Sequence, residues 1–341
     1  MSSINFSPKI LCDSISETVG YKSGIALSIE AMCDLLTNTN YADIITNSEK
    51  YGAHLRSEEY EDLFYKLLHR IGYTQEEYNG DSMGITLYHK YKGTALEKIQ
   101  EGVLKIFVET WPKIMDDAMR EGAKSLDPSL FMKTARLTYG KNGLTIAMEM
   151  LELMDRISKL NPHSGLRYTE WKNIEKIEAL FDGSKNKPEV GTFMDQRYIN
   201  YLYANHEKLE LIHWRKFEEL TAEYFDRQGY SVELGPGSND DGVDVRVWKN
   251  QENEERGLPP HMIIQCKRQK KKIEKIIVKG LHADMQFQDA KYGLIVTSSE
   301  LSPGARSTIS ARGYSIEEVN NMKLRVWLNT LHKPGTGIVR V

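Results

Sequence analysis

The sequence predicts an α+β protein in which a mainly helical N-terminal region precedes a C-terminal α/β domain. Amphipathic helical patterns fill most of the first two hundred residues, and short strand-like runs appear only after residue 230. The composition, 40% hydrophobic and 27% charged over 341 residues, is ordinary for a folded chain of one or two domains. No apolar run approaches the roughly 20 residues that a membrane-spanning helix needs, which excludes that class.

The cysteines and the N-terminus indicate a reducing compartment. Cys12, Cys33 and Cys266 are odd in number and far apart, so neither a disulfide framework nor a clustered zinc site is expected. The first twenty residues lack the basic segment and long apolar run of a secretory signal. We therefore expect a cytoplasmic protein.

Charge is distributed unevenly along the chain. The net charge of −3 divides into −6 for residues 1–210 and +3 for residues 211–341. This balance argues against indiscriminate nucleic-acid binding, but it allows one basic face in the C-terminal part.

The N-terminal region shows the apolar spacing of amphipathic helices. One helix is predicted from apolar residues at i, i+3, i+4, i+7, i+8 and i+11, with Gly72 as its stop; these residues are Tyr60, Leu63, Phe64, Leu67, Leu68 and Ile71. Further helices are predicted over 94–111, 144–160 and 168–182. Pro112 fits the first turn of a new helix better than a helix interior.

Polar and glycine-containing sequence at 183–191 predicts a hinge, and residues 191–212 predict a helical connector. The expected division of the chain is therefore a helical domain over 1–190, the connector over 191–212 and a C-terminal domain over 213–341. The role of the first domain, as sensor, recognition module or oligomerisation module, is left open by the sequence.

The C-terminal domain alternates between helix and strand signals. Helices are predicted over 214–228, 274–289, 303–312 and 322–331. Strands are predicted over 230–234, 243–248, 262–267, 293–298 and 314–319. The order α-β-β-β-α-β-α-β-α is typical of an α/β or α+β domain.

The helix at 214–228 carries a candidate acidic residue. Its apolar stripe comprises Trp214, Phe217, Leu220, Tyr224 and Phe225. At 100° per residue, Glu219 and Glu223 point away from this stripe, whereas Glu218 lies at its edge. Glu218 is either a surface glutamate at the margin of the stripe or a carboxylate placed partly against the core, where it needs a partner.

Two strand-like runs place polar groups at matching positions. In 243–248 the valines share one face, and Asp244 lies on the other. In 262–267, Gln265 and Lys267 share a face, and Cys266 points the opposite way as a buried residue and not a nucleophile. If the strands pair, Gln265 and Lys267 stand beside Asp244, and these oxygen ligands with a lysine suit Mg²⁺ and a phosphate substrate. The alternative, a turn-forming and solvated role, fits Asp240 and Asp241 but fits Asp244 poorly.

This stretch resembles the Mrr-like branch of the PD-(D/E)xK restriction endonucleases. The similarity covers roughly residues 213–331, in the family's order. The matching motifs are Phe217-Glu218, Gly229-Tyr230, Gly242-Val243-Asp244, Gln265-Cys266-Lys267-Arg268, Val296-Thr297 and Pro303-Gly304-Ala305. Asp241 departs from the pattern, because the family commonly has glycine there.

The resemblance implies a restriction-endonuclease-like fold with an αβββαβ core and hydrolysis of DNA phosphodiesters with Mg²⁺, or with Mn²⁺ as a substitute. By motif, Asp244 is the metal carboxylate, and Gln265 is a metal ligand in place of the more usual Glu. Lys267 is the catalytic lysine. Glu218 is the helical acid of the site, which reaches the metal through water, and the backbone carbonyl of Cys266 completes the metal shell.

A basic segment follows the candidate site. Between Lys267 and Lys279 there are seven basic residues and one acid, Glu274. Next to a nuclease centre such a run neutralises backbone phosphates without reading sequence. The candidate DNA-binding residues are Arg268, Lys270, Lys271, Lys272 and Lys275. The alternative is a solvated loop and helix start.

Three functions are compatible with these residues. The first is an Mg²⁺-dependent DNA endonuclease of restriction or phage defence, with the helical N-terminal region as recogniser or sensor. The second is a catalytically silent DNA-binding or assembly protein, and the third is a nuclease acting on RNA or on DNA junctions. We also expect a homo-oligomer, because Met148, Leu151 and Met154 offer an apolar helix face, and a partner protein or trigger that acts on the N-terminal region.

Overall fold

The computed structural model describes residues 3–123, 125–237 and 242–333. The helices are α1 (Ile10–Ser23), α2 (Ile29–Leu35), α3 (Tyr41–Tyr51), α4 (Ser57–Arg70), α5 (Met83–Tyr91), α6 (Glu97–Glu121), α7 (Ser129–Leu160), α8 (Ala179–Asp182), α9 (Gln196–Ala204), a 3₁₀ helix (His206–Glu210), α10 (Trp214–Arg227), α11 (Gln251–Glu255), α12 (Lys275–Phe287), α13 (Pro303–Arg312) and α14 (Asn321–Leu331). The strands are β1 (Ser3–Phe6), β2 (Ile25–Ala26), β3 (Ala53–Arg56), β4 (Glu175–Lys176), β5 (Ser231–Leu234), β6 (Val245–Trp248), β7 (Met262–Lys267), β8 (Tyr292–Thr297) and β9 (Ile316–Val319).

By its contacts the chain separates into two compact units. Unit 1 contains Met1–Glu77 together with Tyr168–Val341, and unit 2 is the intervening Tyr78–Arg167. The boundaries that the sequence suggests, near residues 190 and 213, fall inside unit 1 and stay predictions. Among the described residues, none of the helices combines the length and the apolarity that a membrane crossing requires.

Unit 2 is built from α5, α6 and α7 around its own core. The helix predicted over 94–111 does not end at Pro112, because α6 continues from Glu97 to Glu121. Proline removes the hydrogen bond to the carbonyl four residues earlier, that of Val108, but Val108 is exposed and water can solvate its carbonyl. Packing of the opposite face, including Val103, Ile106 and Ile114, stabilises the helix on both sides of the proline.

The predicted helix over 144–160 is confirmed as the second half of α7. Its first half begins at Ser129, and the two halves meet at Gly140, whose backbone has φ 64° and ψ −146°. Glycine tolerates this conformation, so the chain bends there instead of continuing as one straight helix.

The helical part of unit 1 contains α1 to α4, α8 and α9 with two small sheets. β1 pairs antiparallel with β3, and β2 pairs parallel with β4. The helix predicted over 168–182 is wrong, because only α8 is helical in that range. Glu175 donates its backbone N–H to Gly24, and Lys172 and Asn173 donate theirs to the carboxylate of Glu189. These contacts to distant residues replace helical hydrogen bonds.

The C-terminal part of unit 1 contains a five-stranded mixed sheet in the order β5-β6-β7-β8-β9. The first three strands are antiparallel, and β7, β8 and β9 run parallel. α10 packs on β5, β6 and β7, whereas α12 packs on β7 and β8 beside α13. The run α10-β5-β6-β7-α12-β8, interrupted only by the short α11, has the predicted αβββαβ order, and the predicted α+β fold class is confirmed.

The segment expected to be a hinge is anchored to both parts of unit 1. Glu189 holds residues 172 and 173, while three successive N–H groups, of Thr192, Phe193 and Met194, donate to Glu223 on α10 at 2.9, 2.6 and 3.1 Å. The connector that follows contains α9, which is almost wholly buried.

A buried ion pair fixes the start of α9. Arg197 is 2% exposed and binds both carboxylate oxygens of Asp195, at 2.7 and 2.8 Å. Its Nη1 also donates to the carbonyl oxygens of Gly24 and Asn173. Burial opposes ionisation of Asp195, but the guanidinium outweighs it and lowers the pKa of Asp195. This pair therefore ties the connector to α1 and to the 168–182 segment.

We predict that Arg197→Met destabilises unit 1 by roughly 3–5 kcal/mol, because it leaves the Asp195 carboxylate buried without its counter-ion. Urea unfolding followed by circular dichroism measures this change. Arg256→Met is the control, since Arg256 pairs with Glu252 on the surface and its loss is expected to cost less than about 1 kcal/mol. Equal effects of the two substitutions would contradict the structural role of Arg197.

Candidate active site

α10 forms as predicted, but Trp214 lies outside its buried face and Glu223 is covered by another segment. Phe217, Leu220 and Phe225 are buried, whereas Trp214 is 43% exposed at the first turn of the helix. Glu223, which the periodicity places away from the apolar stripe, is nevertheless buried, because it accepts hydrogen bonds from the three N–H groups of 192–194 and pairs with Arg227. The periodicity could not show that another segment covers this side of the helix.

Glu218 is a buried carboxylate at the edge of the apolar stripe. Its Oε2 accepts a hydrogen bond from Nη1 of Arg215 at 3.0 Å. Burial, and then the nearby negative charge of Asp244, raise the pKa of Glu218 to about 8, while Arg215 acts in the opposite direction. The two carboxylates are therefore close enough to repel each other in a poorly solvated site.

Asp244 lies immediately before β6, which begins at Val245 and not at residue 243 as predicted. Its backbone N–H donates to Ile264, and its side-chain Oδ2 accepts from the backbone N–H of Cys266 at 2.6 Å. These two bonds bracket Gln265 on β7. The buried carboxylate of Asp244 is thus held at the C-terminal end of β7, as the predicted strand pairing requires.

Gln265 and Lys267 lie on β7, whose predicted limits are those of the structure. The Oε1 atom of Gln265 is buried and has no hydrogen-bond partner among the described residues. Within the same described part of the chain, the half-buried Lys267 shows no ion pair or hydrogen bond of its ammonium group. Both groups are therefore available to a ligand.

Cys266 faces the opposite side of the sheet. Its Sγ contacts the hydroxyl of Thr221 on α10 at 3.4 Å. Burial, together with the charge of Asp244, raises the pKa of the Cys266 thiol well above its usual value. A thiol with such a pKa is a poor nucleophile, so only its backbone bears on the site.

The chemistry of this donor set fits a hard divalent cation. A buried amide oxygen without a donor, two buried carboxylates and a nearby strand carbonyl are the oxygen ligands that Mg²⁺ prefers. Within the described residues, no group of three or more His, Cys, Asp or Glu side chains could hold a metal ion. The set around Asp244 is not of that kind, because Gln265 and a main-chain carbonyl are part of it. Asp240 and Asp241 lie outside the described residues.

The basic segment after β7 is largely exposed, with some of its charges engaged. Lys270, Lys271, Lys272 and Lys275 are exposed. Lys272 pairs with Glu300 at 2.7 Å, and Lys270 lies 3.8 Å from Glu210. Arg268 is half-buried, and its Nη1 donates to the carbonyl of Glu210 at 3.1 Å. Arg268 therefore contacts the 3₁₀ helix, whereas the lysines face solvent.

Arg215 is part of this site, and sequence reasoning missed it. Its Nη1 bridges Glu218 and the carbonyl oxygen of Gly235, the latter at 2.7 Å. The available signal was its spacing, three residues before a glutamate on a helix, which allows an ion pair but is common on helix surfaces.

The comparison with family models agrees with this assignment of the C-terminal part. Residues 209–328 match the model of the Mrr_cat family, described as restriction endonuclease, which confirms the resemblance seen in the motifs. The search of curated proteins found no match. A solved structure titled "MspJI Restriction Endonuclease in Complex with 27-mer Oligonucleotide" is similar at 16% identity and a TM-score of 0.28. The similarity covers 56% of this chain and 44% of that chain, so this chain spans less than half of that protein's length.

We predict that only Cys33 reacts rapidly with a thiol reagent in the folded protein. Burial raises the pKa of Cys12 to about 11 and that of Cys266 well above its usual value, so both lack thiolate near neutral pH. Colorimetric titration at pH 8 should count one fast thiol, and three after unfolding in urea. Cys33→Ser is the control, and a fast thiol remaining in that variant would contradict the buried placement of the other two.

Proposed function

We propose that the Mrr-like restriction endonuclease domain at residues 209–328 hydrolyses phosphodiester bonds in DNA with the help of Mg²⁺. The single observation that carries the proposal is the close approach of Glu218 on α10 to Asp244 before β6, where Asp244 is bound to the β7 segment that carries Gln265 and Lys267. Two of these groups are buried carboxylates, one is a buried oxygen without a donor, and one is an ammonium group without a counter-ion among the described residues.

Asp244 and Gln265 are the residues that would hold the cation directly, with the backbone carbonyl of Cys266 and, through water, Glu218. A bound Mg²⁺ supplies positive charge to the phosphate and lowers the pKa of bound water; Mn²⁺ is expected to substitute. Burial and then repulsion by Asp244 raise the pKa of Glu218, which is consistent with a place for positive charge between the two carboxyl groups.

The protein's own groups have separate tasks in this proposal. Lys267 lies two residues beyond Gln265 on β7, on the same face of the strand. There its ammonium group orients the attacking water and offsets negative charge on the phosphate. The backbone N–H of Cys266 orients the Asp244 carboxylate by donating one hydrogen bond to it. Glu218, held by Arg215, keeps its carboxylate toward the same centre.

The exposed lysines after β7 support DNA as the substrate. Lys270, Lys271, Lys272 and Lys275 follow the strand that carries Gln265 and Lys267, so a duplex at the site passes close to them. Contacts of this type neutralise phosphates and carry no sequence information. Arg268, which lies beside the 3₁₀ helix, contributes to DNA binding from that position.

The other functions remain alternatives that experiment separates. A silent DNA-binding or assembly protein needs none of the four site residues, whereas all four are present here. A nuclease for RNA or DNA junctions would use the same centre, so substrate comparison distinguishes it. We also propose a role in restriction or phage defence, with unit 2 and the helical part of unit 1 as recogniser, sensor or binding site for a partner or trigger.

A homo-oligomer is part of the proposal, because one centre cuts one strand at a time. Of the residues first considered for a self-interface, Met148 is exposed, but Leu151 packs against the core of unit 2. Any apolar contact between copies through α7 therefore uses Met148 more than Leu151.

We predict that Asp244→Asn and Lys267→Met each reduce plasmid nicking at least ~10²-fold in Mg²⁺ or Mn²⁺. The side-chain oxygen of asparagine can still accept a hydrogen bond from the N–H of Cys266, so the variant is expected to fold. Nicking is measured by gel electrophoresis with an EDTA control, and RNA and junction substrates are included.

Matched controls are Asp289→Asn and Lys291→Met. Both residues are exposed, and Lys291 precedes β8 at the edge of the sheet opposite the site. Wild-type nicking by either site variant would refute the site assignment, and an inactive wild-type protein on every substrate would favour the silent alternative.

We further predict that replacing Lys270, Lys271 and Lys272 with Gln weakens DNA binding equally for all sequences. If each lysine contacts one phosphate, the slope of log affinity against log salt falls by roughly 3 × 0.9. Fluorescence anisotropy titrations at several salt concentrations measure it. The control replaces Lys249, Lys291 and Lys323, which removes the same charge; equal slopes in both triple variants would show that the segment is only a solvated face.

A further inference from the structure

Arg215 lies at the centre of a hydrogen-bonded chain that joins the Glu218 carboxylate to the backbone of Asp244. Its Nη1 donates to Oε2 of Glu218 at 3.0 Å and to the carbonyl of Gly235 at 2.7 Å. The N–H of Gly235 donates in turn to the carbonyl of Asp244 at 2.9 Å. One side chain therefore connects the acid on α10 with the backbone of the acid before β6.

The close approach at Gly235 depends on the absence of a side chain. A Cβ placed there would lie 3.0 Å from the carbonyl oxygen of Val243 and 3.1 Å from that of Asp244. Glycine thus lets the end of β5 lie against Asp244 while its carbonyl turns to Arg215.

The charge of Arg215 suits a positioning role better than a direct contact with the DNA. Its side chain is 23% exposed, and its partner Glu218 is 7% exposed at the side chain. A charge-assisted hydrogen bond to a nearly buried carboxylate is strong, and breaking it to reach a phosphate would leave Glu218 buried without a counter-ion. The exposed lysines after β7 can bind a phosphate without leaving a buried carboxylate unpaired.

We propose that Arg215 is a positioning residue of the nuclease centre, holding Glu218 and the Gly235–Asp244 backbone at a fixed separation. The inference rests on the proposed function, since it concerns the same centre. The position of Asp244 in turn affects Cys266, because the backbone N–H of Cys266 donates to the Asp244 carboxylate. Loss of Arg215 therefore loosens both acids together, without removing either of them.

The test compares Arg215→Met, Arg215→Lys and the control Arg306→Met in the full-length protein. Arg306 also pairs with glutamates, Glu300 and Glu318, but on the surface around α13. Single-turnover cleavage of a DNA duplex is measured with Mg²⁺, and DNA affinity is measured separately without metal. Hydrogen exchange of the Gly235 and Cys266 amides, followed by mass spectrometry, gives a readout that needs no activity.

For Arg215→Met we expect cleavage at saturating DNA to fall roughly 10- to 100-fold, as misplacement of reacting groups by about 1 Å does. DNA affinity should change less than about threefold, and exchange at Gly235 and Cys266 should accelerate. Arg215→Lys should recover part of the rate, because an ammonium group can donate to both oxygens but lacks the planar, rigid guanidinium. Arg306→Met should leave all three measurements unchanged.

A loss of DNA affinity as large as the loss of rate would overturn the proposal and make Arg215 a phosphate contact. An unchanged rate, or unchanged exchange at both amides, would also overturn it. If the wild-type protein cleaves nothing, the proposed function fails, and the exchange measurement still decides whether Arg215 fixes the two acids.

Discussion

Two carboxyl groups, Glu218 and Asp244, are buried close together near the C-terminal end of β7, and this constraint shapes the C-terminal architecture. Neither charge is tolerated there without compensation, because burial and mutual repulsion both oppose ionisation. Arg215 compensates Glu218, and the backbone N–H of Cys266 compensates Asp244. α10, the end of β5, the start of β6 and the end of β7 therefore meet at one place.

The C-terminal half of α10 carries another buried carboxylate, which anchors the helix to the connector. Glu223, little more than one turn after Glu218, binds three successive backbone N–H groups of the connector. Its partner Arg227 donates to Gln196 of α9, and Gln196 donates to the carbonyl of Leu331 at the end of α14. The helix that carries a site residue is thus joined by hydrogen bonds to the connector and to the last helix of the domain.

The same connector reaches the helical part of unit 1. Arg197 donates to the carbonyl of Gly24, and Asn205, at the C-terminal end of α9, donates to that of Arg70. The sequence suggested a flexible link between an N-terminal domain and a nuclease domain, whereas these segments form one compact unit from which Tyr78–Arg167 is set apart. The helical part of unit 1 is thus joined to α10 by hydrogen bonds through α9.

The sequence by itself determined the C-terminal domain in considerable detail. The limits of β7 and α13 agree with the structure to the residue, because a short, largely apolar run between polar segments and a Ser-Pro helix start are local signals. The motifs also selected Glu218, Asp244, Gln265 and Lys267, since each falls at a fixed position in a recognisable order. Tertiary structure alone decided what depends on residues far apart in the chain: that Arg215 meets Gly235, that Glu223 is covered by the segment after residue 191, and that the backbone near Glu175 pairs with Gly24 instead of forming a helix. Helical periodicity describes one element at a time, so it cannot show which buried polar groups find partners on another element.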